Sequence, residues 1–66
     1  MVGQGGDKPL SLEQRMEVFA ALVEAQDSGM TVPQSRKATA ERFSVSEQQV
    51  CQIEREGLAG QWPPLG

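Results

Sequence analysis

The sequence predicts an all-α fold: a three-helix bundle whose second and third helices form a helix-turn-helix between about Arg36 and Arg55. Three observations predict it. An S-x-x-Q pattern, the signature of a helix start, occurs at Ser11–Gln14 and again at Ser46–Gln49. Apolar residues between them recur at three- and four-residue spacings, and glycines and prolines fall between the periodic runs.

Residues 1 to about 10 hold three of the chain's seven glycines with Gln4, Asp7, Lys8 and Pro9. That composition buries too little apolar area to offset backbone entropy, so the segment is expected to be a disordered tail preceding a domain at 11–65. Helix one starts at Ser11. Leu12, Met16, Phe19 and Val23 follow at spacings of four, three and four, with Ala20 and Leu22 widening the stripe. The result is a helix of about 17 residues with one buried face. Gly29 ends it, because glycine takes a left-handed conformation without a steric penalty, and Met30 folds back onto the last turn.

Thr31-Val32-Pro33 reads as a connector that opens helix two, since proline is tolerated in a first turn. Helix two is expected from about Pro33 to Phe43, with the Arg36 stem, Thr39, Ala40 and Phe43 facing inward. The Ser46 capping box then starts helix three, expected from Glu47 to Glu56 with Val50 and Ile53 on its inner face and Gly57 as its stop. Leu12, Met16, Phe19, Val23, Phe43, Val45, Val50 and Ile53 make a thin core. Trp62 is therefore expected to pack across helix one and complete it, in preference to presenting Trp62-Pro63-Pro64-Leu65 as a polyproline-type ligand.

Composition narrows the function. At 66 residues, 38% hydrophobic and 23% charged, the chain suits one soluble domain, and no apolar run reaches the roughly 20 residues that cross a bilayer. The start has no basic region followed by an apolar stretch, so a cytoplasmic protein is expected. One cysteine, Cys51, closes no intramolecular disulfide, and the absence of histidine removes both the common general base and a Cys/His zinc set. No catalytic residue, metal site or cofactor is expected. Cys51 reads as a small neutral residue facing partly outward.

The window from Arg36 to Arg55 holds Ala40 midway along one helix, Phe43 at its end, Val45 in the turn, Ser46 as cap, and Val50 and Ile53 in the next helix. In that order these residues resemble the helix-turn-helix of phage repressors, resolvases and the promoter-reading domains of sigma factors. The resemblance implies that the second helix crosses closely over Ala40, that Val45 is buried, and that Val50 and Ile53 pin the reading helix to the domain. The chain departs from the pattern at Ser44, where such turns usually hold a glycine with positive φ; a serine there costs on the order of 1 kcal/mol.

What the resemblance implies functionally is a sequence-reading module for double-stranded DNA, acting in transcription regulation, with helix three in the major groove. Ser46, Gln48, Gln49, Gln52 and Arg55 are then the base-reading candidates, since glutamine pairs with adenine and arginine with guanine. Arg36, Lys37 and Arg42 are the phosphate candidates. Charge points the other way. The net charge is −3, residues 1–35 carry two basic side chains against five acidic, and the remainder carries four against four. A neutral module binds DNA weakly and loses that binding as salt rises, so it is expected to work as a dimer or within a larger assembly. Glu47, Glu54 and Glu56 on the reading helix add to the cost. The alternative function is a helix-turn-helix that docks a protein partner, or a second copy of itself, without DNA.

Overall fold

The computed structural model describes residues 9–65, so most of the expected tail, residues 1–8, lies outside the described residues. Those described form three helices and no strand: α1 Leu12–Asp27, α2 Val32–Phe43 and α3 Glu47–Gly60. Each helix packs against both others, giving the expected all-α three-helix bundle. Leu10, placed in the tail by composition, packs against the core.

All three helices begin on a hydroxyl cap. The Ser11 Oγ accepts from the Gln14 N–H at 3.1 Å while the Gln14 Oε1 accepts from the Ser11 N–H at 2.9 Å, satisfying two otherwise orphaned donors. Thr31 and Gln34 repeat the arrangement, both bonds at 3.2 Å, so Thr31 is a cap and α2 starts at Val32, one residue before the proline. The Ser46 Oγ accepts from the Gln49 N–H at 2.9 Å.

The three helix ends also share one device. A residue in the left-handed region follows the helix, Gly29 at φ 110°, Ser44 at φ 58° and Gln61 at φ 51°. The next residue's N–H reaches back five positions: Met30 to the Ala25 carbonyl at 3.2 Å, Val45 to Ala40 at 3.0 Å, Trp62 to Gly57 at 2.9 Å. This is the Schellman pattern, which satisfies terminal carbonyls and carries an apolar residue just past the turn. Ser44 thus adopts the strained conformation expected of it. Ser44→Gly should relieve that strain and stabilise the domain by about 0.5–1 kcal/mol after the glycine's extra unfolded-state entropy is deducted. For so small a domain this is a rise of about 2–8 °C in the thermal midpoint. A midpoint that falls would show that the serine side chain contributes more than its backbone costs.

The core consists of Val18, Phe19 and Leu22 from α1, Ala40 from α2, Val45 from the turn, and Val50 and Ile53 from α3. This corrects the face assigned to helix one. Leu12 is 51% exposed, and Met16 and Val23 are only partly buried. The α1 cylinder carries apolar residues on more than one side, and the buried stripe lies about a quarter turn from the one the spacing suggested. Phe43, also expected inside, is half-buried.

Gly57 does not stop α3, which continues to Gly60. A β-carbon on Gly57 would lie 2.2 Å from Cδ1 of Phe19, so the glycine is where the α3 backbone rests on that ring. Trp62 also packs on Phe19, centroids 6.0 Å apart and planes at 89°, the edge-to-face geometry that aromatic pairs favour. The tryptophan is part of the core's wall, as composition suggested.

Candidate nucleic-acid interface

α3 is positioned from below by its apolar residues and from both sides by ion pairs. Gln49, Val50, Ile53 and Gly57 form its buried face. On one flank the Arg36 guanidinium of α2 donates from Nε and Nη2 to Oε1 of Glu54, at 3.0 and 2.8 Å. On the other, Nη1 of Arg15 in α1 donates to Oε1 of Glu56 at 2.9 Å. The Glu54 hydrogen bond, followed by its Coulombic attraction, raises the Arg36 pKa above the ordinary arginine value, so this arginine is charged throughout the working pH range. Both pairs are partly solvated and contribute little stability alone. They tie α3 to α2 and α1 on its two flanks and neutralise carboxylates beside its outward face.

That outward face is a row. Gln48, Gln52 and Arg55 sit at i, i+4 and i+7 and are all exposed, with half-buried Cys51 between them. Lys37 of α2 is exposed and shares a depression with Ser44, Ser46 and the carboxylates Glu41 and Glu47, at the turn that leads into α3. Among the described residues, no ion pair engages Lys37 or Arg55.

Four candidates are placed elsewhere. Gln49 is 7% exposed and lies on the core side of α3, so it cannot meet a groove. Ser46 is half-buried with its hydroxyl on the helix cap, a structural position. Arg36 is held by Glu54 and is withdrawn from the phosphate set. Arg42, although exposed, is about 140° around α2 from Lys37. It lines a groove against α1 with Glu17, Glu24 and Asp27, where three carboxylates oppose any phosphate. The ion pairs that reassign Arg36, Glu54 and Glu56 join residues 18 and 41 positions apart, beyond the reach of local pattern.

Among the described residues no group of three or more histidine, cysteine, aspartate or glutamate side chains is arranged to hold a metal ion, and no helix is long and apolar enough to cross a membrane. No protein-family model matches the chain, and no curated protein or solved structure matches it either.

Proposed function

We propose that this domain is a sequence-reading DNA-binding module, of the kind used in transcription regulation, that lays the outward face of α3 in the major groove. The observation that carries the reading is the exposed row of Gln48, Gln52 and Arg55, directed away from Val50 and Ile53 and set behind a three-residue turn. These side chains have the donors and acceptors that distinguish adenine and guanine edges. The flanking ion pairs also support it, because two of the three carboxylates on α3 that would repel DNA are each bound to an arginine. Lys37, exposed on α2 and in no ion pair among the described residues, supplies a phosphate contact.

The test is a titration of the domain with mixed-sequence duplex at low salt, repeated from about 50 to 200 mM, where each phosphate contact contributes about 0.9 to the slope of log K against log salt. Lys37→Gln should weaken binding to every sequence alike and reduce the slope's magnitude by about that amount. No binding by the parent at the lowest salt would remove the DNA reading and leave the alternative, a module that docks protein.

A further inference from the structure

The α1 carboxylates are not scattered. Glu13, Glu17, Glu24 and Asp27 fall within an arc of about 80° on the helix and extend along it for about 21 Å. Ala20 and Ala21 leave a notch in the middle of this stripe. Phe43 from the end of α2, with Pro63 and Pro64 from the segment after α3, walls the notch into an open groove of about 610 Å³. Its floor and walls are apolar and its α1 rim is acidic, with Glu17, Glu24 and Asp27 all exposed. Among the described residues the single cation lining the groove is Arg42, whose guanidinium carbon lies 5.4 Å from the centroid of the Phe43 ring. No α3 residue lines the groove, so it is separate from the face assigned to DNA.

We propose that this groove docks a basic segment of a partner protein, with an aliphatic side chain seated over Ala20 and Ala21 and lysines or arginines along the α1 rim. Charge complementarity selects that occupant. Three carboxylates against one guanidinium make the rim anionic, which repels nucleic acid and acidic peptides, and the chain's net charge of −3 disfavours a second copy of itself. The apolar floor selects further, because a fully polar cation chain leaves it wet. A neutral DNA-reading module gains from such a partner, which brings the positive charge it lacks, yet the docking stands whether or not the α3 reading holds.

The experiment uses the full chain, isotope-labelled, with three synthetic probes: an amidated 12-residue amphipathic peptide of lysine and leucine, the same peptide with glutamate for lysine, and dodecalysine. The lysine–leucine peptide should shift the amides from Glu17 to Asp27 and at Phe43, leaving those of Gln48 to Arg55 in place. Dodecalysine should bind at least tenfold more weakly, and the glutamate peptide not at all. The double variant Glu17→Gln/Glu24→Gln, exposed positions whose change leaves the core intact, should lose at least tenfold in affinity. Arg42→Gln, which removes the opposing cation, should gain two- to threefold. Equal binding of dodecalysine, an unchanged affinity in the double variant, or shifts centred on α3 would overturn the proposal. So would concentration-dependent movement of the groove amides without any peptide, which would identify a second copy as the occupant.

Discussion

Gly57→Ala should destabilise this domain by about 2–3 kcal/mol, although alanine is the better helix former by about 1 kcal/mol in an open position. The sign reverses because of one contact: the new methyl would lie 2.2–2.5 Å from three atoms of the Phe19 ring, which is itself fully buried and held on another side by Trp62. The ring cannot yield without opening the packing it shares with the rest of the core. For 66 residues the whole folding free energy is on the order of 3–10 kcal/mol, so the variant gives up a large share of it. Its thermal midpoint should fall by about 8–24 °C. Combining it with Phe19→Leu separates the mechanisms. A smaller side chain relieves the overlap, so the double variant should lose less than the sum of the two single losses. A Gly57→Ala midpoint at or above the parent's would mean that α3 does not rest on Phe19.

The second large effect is expected at the outward row. Gln48→Ala or Gln52→Ala should each lose about 1–3 kcal/mol of discrimination at one base pair, while affinity for mixed-sequence duplex changes little. Both residues are exposed and clear of the core, so circular dichroism and the thermal midpoint should match the parent. Selection of bound sequences from a random pool, run side by side for parent and variants, reads the effect directly. Identical selected sequences for all three proteins would defeat the assignment of base reading to this row.

Much of the architecture was legible locally. The two S-x-x-Q boxes and the breakers Gly29 and Pro33 located the helices, because capping and backbone constraint act within four residues. The T-x-x-Q box at Thr31 carries the same signal, and it moves the start of α2 to Val32, ahead of the proline. Gly57 differs from its expected role because a glycine near the end of a helix has two physical uses, a left-handed stop and a close approach, and only the partner Phe19, 38 positions earlier in sequence, distinguishes them. The left-handed stop fell instead on Gln61, a residue with no special propensity for it. On α1 the apolar spacing admitted several stripes, whereas the four carboxylates admitted one. The buried residues Val18 and Leu22 lie opposite that acidic arc, which was readable in the sequence and points inward more surely than Leu12 or Met16 did. At the site, Gln48, Gln52, Arg55 and Lys37 follow from helix phase. So do the burial of Gln49, four residues before Ile53, and the placing of Arg42 about 140° from Lys37; Arg36 does not, because its partner Glu54 lies 18 positions away.

The walls of the acidic groove have a consequence for how this domain can be joined to others. Pro63 and Pro64 line it beside Glu17 and Phe43, and Pro9 and Leu10 lie in the adjoining hollow against the same two residues. Among the described residues the two ends, Pro9 and Pro64, are therefore neighbours on one side of the bundle, and no α3 residue lines either hollow. Copies strung head to tail, or a fluorescent protein spliced before Pro9 or after Pro64, would crowd the groove and leave the Gln48–Arg55 row unobstructed.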